Sequence, residues 1–541
     1  MLTAAYRWID RNILELGREM RLSYLPPLMV YMAAGISGLT GVVGTFFVKD
    51  YLGIPAAFLA ALGFWAGIPW ALKMPLGHLV DLIWRWKSGL IFLGAGVIAA
   101  SLLIMVGLIG ERGSMVTIMP AEAWFVLSVL LAPIGYVLQD AVADAMTVEA
   151  VPRVDANGAP IDPAARKLMN TTMQTLGRVA IIGGSVLVAF INLYVFTGVH
   201  QLPPAELALI YRDVYLMALA IPVISVLGVL SAMLIKQRDT RRLRRRGYTR
   251  DQVDAMLGER GEPTAPNWWI LGGSLLFVIF TLAVGLGRLP YKGEIVFAGS
   301  FAIVAFLMAK ITRALEPEAR ATLVGTAIVI FVFRAIPSPG PGITWWMIDE
   351  LGFDQQFLSV LSLIGSALTL GGMFLFRRFM AEHSIAYVVG FLTLAGFLLA
   401  LPIVGLYYGL HHWTAAMTGG LVDARTIVIV DTAVESPLGQ ISMIPMLAWI
   451  ANSAPANLKA TYFAVMASFT NLALSLSQLG TKYLNEIFIV TREVRDHATG
   501  VIQVPADYSQ LGDLLIAQVA LGLVLPFIAI LFARLARFRS A

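Results

Sequence analysis

Cysteine is absent from the 541 residues, and charge is scarce at 13%, against the roughly 25% of an ordinary soluble domain. Without cysteine there is no disulfide framework, no thiolate-held zinc or iron–sulfur centre and no thiol nucleophile. So little charge excludes a soluble globular protein. A strong basic surplus is missing too: 39 Lys and Arg stand against 34 Asp and Glu, a net +5, so no nucleic acid is expected as a partner. The phosphate-cradling GxxxxGK(S/T) loop, HExxH, GxSxG and a GxGxxG between strand and helix do not occur. An ATP-driven machine or an enzyme should carry one of them, so neither is expected, and no cofactor is. The six histidines, His78, His200, His383, His411, His412 and His497, lack helical metal-ligand spacing.

Apolar sequence is what the chain has in abundance: 58% of residues are hydrophobic and the mean hydropathy is +0.77. A membrane span needs about 20 predominantly apolar residues. Such runs lie near 25–48, 55–82, 88–110, 122–148, 168–197, 211–236, 267–288, 292–312, 321–347, 356–376, 384–409, 420–450, 460–489 and 511–535, fourteen in all. The fold class expected is therefore an all-α polytopic membrane bundle. In the first 24 residues Arg7, Asp10, Arg11, Glu15, Arg18, Glu19 and Arg21 interrupt any signal-peptide core, so this start is expected to be retained. Tyr6, Ile9, Ile13, Leu16 and Met20 recur at helical spacing there, the pattern of an amphipathic lead-in lying on the membrane surface.

A gapless internal repeat organises the spans. FFVKDYLGIPAAFLAAL from Phe46 aligns with WWMIDELGFDQQFLSVL from Trp345, with Asp50/Asp349, Leu52/Leu351, Gly53/Gly352, Phe58/Phe357, Leu59/Leu358 and Leu62/Leu361 identical. A second pair, DAVAD from Asp140 and DTAVE from Asp431, recurs at a similar offset. Two parallel six-span halves, 25–236 and 321–541, are expected, joined by a basic linker at 237–266 and an inserted pair at 267–312. This is the plan of transporters whose halves rock about a central site. The aromatic residues Phe46, Phe47, Trp345 and Trp346 near the outer span ends read as an interfacial belt.

Ionisable residues inside a membrane are costly and mark function by default. Asp140 and Asp144 lie one helical turn apart, as do their repeat mates Asp431 and Glu435, so each pair shares a helix face and can hold a proton or a cationic group. These four are the expected proton-coupling residues. Arg178, with Gln174 one turn before it, and Arg334, beside the break made by Pro337, Pro339 and Pro341, suit anionic groups of a solute or, equally, salt bridges to these acids. Asn471 belongs to a polar stripe with Ser468, Ser475, Gln478 and Lys482, which either lines a pore or glues helices together. Arg178, Arg334, Gln174 and Asn471 are the candidate solute contacts. Glu149, near the end of span four, is a candidate gate residue; Lys73 and Asp81 join it only through the resemblance of the span-two end, with Gly77, to a transporter motif.

The stretches FFVKDYLGIPAAFLAALGFWAGIPWALK, DAVADAMTVEAVP, the 333–357 segment with its proline break and DELGF, and MIPMLAWIANSAPANLKATYFAVMASFTNLALS from Met443 resemble the folate-biopterin transporter family of the major facilitator superfamily. The resemblance implies a major facilitator fold and secondary active transport of a folate or pteridine, driven by protons. It also implies a small-molecule partner, a monomer in contact with membrane lipids, and residence in a bacterial cytoplasmic membrane. Two other readings stay open: a superfamily relative with another cargo, such as a muropeptide, and a non-transporting assembly factor for pigment or light-harvesting complexes.

Orientation follows from the positive residues, which are retained on the cytoplasmic side of a membrane. With both termini and the 237–266 linker cytoplasmic, 27 of the 39 Lys and Arg residues fall inside. Reporter fusions at residue 250 and at the C-terminus should therefore both read cytoplasmic, and an extracytoplasmic signal at either would reverse the topology.

Overall fold

The computed structural model describes residues 15–71, 73–152, 161–199, 202–257, 266–313, 316–376, 379, 382–439, 459–495, 501–536 and 538. The expected lead-in at 1–14 lies outside these residues, and so does the Asp81 side chain. Where the sequence is apolar the backbone is helical, because lipid offers no hydrogen-bond partner and a helix satisfies its own amides internally.

The first half is built from α1 (Leu25–Ile36), α2 (Gly41–Tyr51), α3 (Ala56–Ala71), α4 (Lys73–Leu82), α5 (Ser88–Gly110), α6 (Ala121–Ala150), α7 (Pro163–Val195), α8 (Pro204–Ala218) and α9 (Ala220–Arg245). After it come the short linker helix α10 (Arg250–Met256) and the inserted pair α11 (Trp268–Leu286) and α12 (Lys292–Thr312). The second half comprises α13 (Pro317–Arg334), α14 (Gly342–Asp349), α15 (Gln355–Leu375), α16 (Ile385–Tyr407), α17 (Ala424–Glu435), α18 (Lys459–Ile487) and α19 (Leu511–Leu535). A two-stranded antiparallel ribbon, β1 (Val494–Arg495) and β2 (Ile502–Val504), lies between α18 and α19.

Among the described residues, eleven helices are long and apolar enough to cross a membrane. The other three of the fourteen expected runs differ for distinct reasons. The run at 321–347 is cut between α13 and α14 by the proline segment. That at 420–450 passes out of the described residues beyond α17. The run at 460–489 is the 29-residue α18, long enough to cross, but its polar stripe makes it less apolar than the others.

The repeated sequence forms repeated structure. In each half a helix end, at Tyr51 or Asp349, leads through a short turn into the next helix, α3 or α15. In the second copy Gly352 takes a positive φ of 63°, and Asp354 caps α15 by accepting the Phe357 amide at 2.8 Å. The aromatic residues beside these turns are not an interfacial belt as expected: Phe46, Phe47, Trp345 and Trp346 are all buried in protein. Phe46 and Phe47 join an apolar cluster of the first half, and Trp345 and Trp346 one of the second.

The two halves meet along two seams, α3 with α18 and α7 with α15. The inserted pair lies against the first seam. Phe277, Val284, Val296 and Val304 from the pair join one apolar cluster with Phe64 and Ile68 of α3 and Met466, Phe469 and Leu472 of α18. At one end of the pair the Asn267 amide donates to Nε2 of His78 at 3.0 Å, tying it to the first half. Near the other end Glu294 accepts from Lys482 at 3.0 Å and from the Tyr483 hydroxyl at 2.6 Å, tying it to the second.

Close helix contact is set by small residues, as is usual in membranes where lipid is as apolar as leucine. Gly94 of α5 and Gly135 of α6 face each other, and a Cβ on Gly94 would come within 2.6 Å of the Gly135 carbonyl oxygen. Backbone cannot retreat as a flexible side chain can. Gly94→Val should thus destabilise the first half by about 1–3 kcal/mol, the usual range for overpacking, visible as a lower melting temperature of the purified protein; an unchanged melting curve would show that the helices separate freely.

Candidate functional site

The central polar cluster of the first half is built on α6. Asp140 and Asp144 fall on one face of this helix, and the ammonium of Lys73, the first residue of α4, sits between them at 2.6 and 2.9 Å. Tyr31 of α1 completes the set, its hydroxyl donating to Oδ1 of Asp144 at 2.7 Å. Three spans thus converge on one carboxylate pair. Lys73, expected as a gate residue, is brought onto the acids instead. Asp140 keeps 19% of its side-chain surface and Asp144 keeps 41%, so the pair is open to solvent on the Asp144 side.

One face of α6 is therefore polar, and the helix is held in register from its other faces. Gln139 donates to the Ile91 carbonyl of α5 at 3.4 Å and accepts from Ser225 of α9 at 3.0 Å, while Ser101 and Ser128 bond across the α5–α6 contact. One turn past Asp144, Thr147 bonds back to the Asp144 carbonyl at 2.7 Å and accepts from Gln174 of α7 at 3.3 Å. Arg178, one turn further along α7, stands close enough to Asp140 and Tyr31 to act on them through space, without forming an ion pair among the described residues. Two carboxylates and two cations leave the cluster neutral as a whole, which is how such groups are tolerated in an apolar bundle.

The repeat mates are left differently. Asp431 and Glu435 lie one turn apart on α17, and no cation pairs with either among the described residues. Oδ1 of Asp431 is buried without a hydrogen-bond partner, and so is Nε of Arg334 at the end of α13. Buried polar atoms are satisfied in the great majority of cases, so these two are exceptional. Glu149 pairs with Lys87 of its own half at 2.6 Å; Lys87 also lies over the Trp84 ring at 3.9 Å, and burial lowers its ammonium from the ordinary value against the pull of Glu149. Glu149 therefore caps the end of α6 within the first half. Asn471 donates to the Trp70 carbonyl of α3 at 3.0 Å, while Ser475 and Gln478 on the same stripe face Gly67 and Gly63 of that helix. The stripe is polar glue along the α3–α18 seam. No cluster of three or more metal-ligating side chains occurs among the described residues.

A second cluster, not anticipated from the sequence, ties the halves together at the end of the bundle remote from the basic linker. Lys49 at the end of α2 pairs with Asp349 at the end of α14, at 2.5 Å, and the Tyr508 hydroxyl donates to the same Asp349 at 2.5 Å. Arg492, before β1, donates to the backbone carbonyls of Lys49 at 2.7 Å and Ile54 at 2.8 Å and also to that of Leu52, with its guanidinium 4.5 Å from the centre of the Trp345 ring. Burial lowers Arg492 from its ordinary value, and burial together with the bond to Asp349 raises the Tyr508 phenol, which keeps it a donor at neutral pH. Gln355 of α15 donates to the Tyr211 hydroxyl of α8 at 2.8 Å nearby. The available sequence signal was the repeat itself: Asp349 is the mate of Asp50, which neighbours Lys49. Arg492 carries no local motif in the sequence.

Two repeated halves about a charge cluster among the spans, joined by polar contacts at one end, give the fold of the major facilitator transporters. Solved structures share this fold: a POT family transporter in complex with a thioalcohol-conjugated peptide matches with a TM-score of 0.58 at 12% identity over 95% of this chain and 96% of its own. A mutant form of the nucleoside transporter NupG matches with 0.54 at 12% identity over 94% and 99%. The sequence model of the BT1 family matches residues 34–539, and the chain belongs to that family. A folate-biopterin transporter of Synechocystis sp. is 23% identical over 482 residues, 88% of this chain and 77% of that protein. A putative folate transporter 2 of Plasmodium berghei is 27% identical over 168 residues, 30% of this chain and 34% of that one.

Removing one member of a charge cluster leaves the others uncompensated. Lys73→Met should lower stability by about 2 kcal/mol, less than the 3–5 of a fully enclosed pair because Asp144 is partly solvated. Adding Asp140→Asn should restore much of that loss. Measured by denaturation of the purified variants, equal stability of Lys73→Met and the wild type would mean that the ion pairs contribute nothing.

Proposed function

We propose that this protein is a secondary active transporter that carries a folate or pterin-like solute across a cytoplasmic membrane, driven by protons. The observation that carries the reading is the Asp140–Lys73–Asp144–Tyr31 cluster with Arg178 beside it, in a chain whose family and named relatives point to the same cargo. A carboxylate accepts two parallel hydrogen bonds from the donor edge of a pterin ring, and a guanidinium meets the carboxylates of a folate tail in the same forked manner. When a proton or a ring edge takes one carboxylate, Lys73 keeps the other, so the cluster changes state without stranding a charge. In the second half, Asp431 and Arg334 hold polar atoms that a bound solute can satisfy.

Alternation follows from the clamp. With the Lys49–Asp349 and Arg492 contacts made, the halves are joined at the end remote from the linker, and Asp144 keeps its solvent exposure. Breaking those contacts exchanges access to the opposite side of the membrane.

The test is uptake of folate and of unsubstituted biopterin into proteoliposomes, with and without an inward proton gradient. Asp140→Asn and Asp144→Asn should each abolish gradient-driven uptake while leaving the protein folded. Charge reversal at Arg178 or Arg334 should weaken folate about ten- to a hundredfold and biopterin far less, the cost of one charge-assisted hydrogen bond. Normal uptake by both Asn variants across pH 5 to 8 would remove proton coupling by these acids. Failure to bind either compound, with binding of a muropeptide or a pigment, would change the cargo.

A further inference from the structure

The helix α9 does not stop where its apolar sequence stops. Val223, Leu227, Leu230 and Leu234 recur at intervals of three and four and are all exposed, a stripe that faces lipid. On the same stripe, continuing the same intervals, stand Arg238, Arg241 and Arg245, with Arg242 at its flank. The helix thus turns one face to acyl chains and carries that face, unrotated, into arginine. With a rise of about 1.5 Å per residue, Arg238 lies about 6 Å and Arg245 about 16 Å beyond Leu234, which spans the headgroup layer of a bilayer. Side chains on a helix lean toward its N-terminus. For α9 the N-terminus lies in the bundle, so these guanidinium groups lean back toward the lipid.

The arginines also form a shaped recess. A cavity of about 510 Å3 is lined by Leu234, Gln237 and five arginines, Arg238, Arg241, Arg242, Arg245 and Arg246. The nearest acid on the helix, Asp239, bonds to Arg238 at 3.2 Å in an exposed pair of little strength. The extension is held in place from behind: the chain turns at Gly247 with φ of 90°, and Leu243 and Val253 of α10 are buried. We propose that this face of α9 is a binding site for the headgroup phosphate of an anionic phospholipid, in the leaflet on the side of the linker. Guanidinium forks match phosphate oxygens, the apolar stripe below receives the acyl chains, and the surplus of arginine over Asp239, the one described acid on this stretch of the helix, favours a headgroup of net negative charge over a zwitterionic one.

The test uses the full chain in detergent, titrated with phosphatidylglycerol, phosphatidylcholine or inorganic phosphate and read by native mass spectrometry. Phosphatidylglycerol should bind where the other two do not. Arg241→Gln with Arg245→Gln should weaken it about thirtyfold, whereas Arg244→Gln with Arg250→Gln, which removes the same charge outside the recess, should change it less than about threefold. Equal losses in the two double variants would reduce the effect to net charge, equal binding of inorganic phosphate would make it a site for free anions, and equal binding of phosphatidylcholine would remove the headgroup preference; each overturns the proposal. Should the glutamine variant fail to accumulate, Arg241→Lys with Arg245→Lys keeps the charge and removes the fork. A several-fold loss is expected for it, and none would overturn the site.

Discussion

A charge inside an apolar bundle must be answered by another charge, and most of the first half is arranged around one such answer. Lys73 is held between Asp140 and Asp144, and reaching that position requires α4 to begin beside α6. The α5–α6 glycine contact, the Gln139 bonds to α5 and α9 and the hydroxyl of Tyr31 on α1 all fix the helix that carries the acids. With Arg178 nearby the arrangement is neutral, and it is divided: two carboxylates share one ammonium, so either can be claimed by something else without leaving the cation alone.

The second half repeats the acids without the cation. Asp431 and Glu435 keep the spacing of their mates, yet Lys73 has no counterpart beside them among the described residues. Sequence duplication has therefore preserved a helix face while the electrostatics of its two copies have diverged. The first half thus presents paired charges, and the second a carboxylate oxygen of Asp431 and a guanidinium nitrogen of Arg334 without partners.

The architecture was legible in the sequence because it is written in the features that hydropathy and self-alignment read: apolar runs of span length, and a helix–turn–helix unit repeated around Asp50 and Asp349. The i, i+4 acids were legible for the same reason, since a helical period places them without tertiary information. What the sequence could not convey was pairing across spans. Lys73 and Asp140 are remote in the chain, and nothing local distinguishes a lysine that ends a span from one that crosses to an acid. The clamp was hidden for a related reason, because Arg492 binds backbone carbonyls, which every residue has and no motif records. Phe46 and Trp345 do not lie at a lipid interface as expected, because aromatic residues near span ends look alike whether they meet headgroups or the packed interior.

A bundle of two halves ordinarily touches the bilayer along both of its seams, and each is a place where a lipid tail or an amphipathic molecule can slip between them. Here α11 and α12 cover one of these, presenting Leu275, Leu276, Ile279 and Leu282 outward while Phe277 and Val296 pack within. Among the described residues the α7–α15 seam has no such cover. The inserted pair thereby sets the α3–α18 contact apart from the bilayer on that side and gives the bundle two unlike flanks.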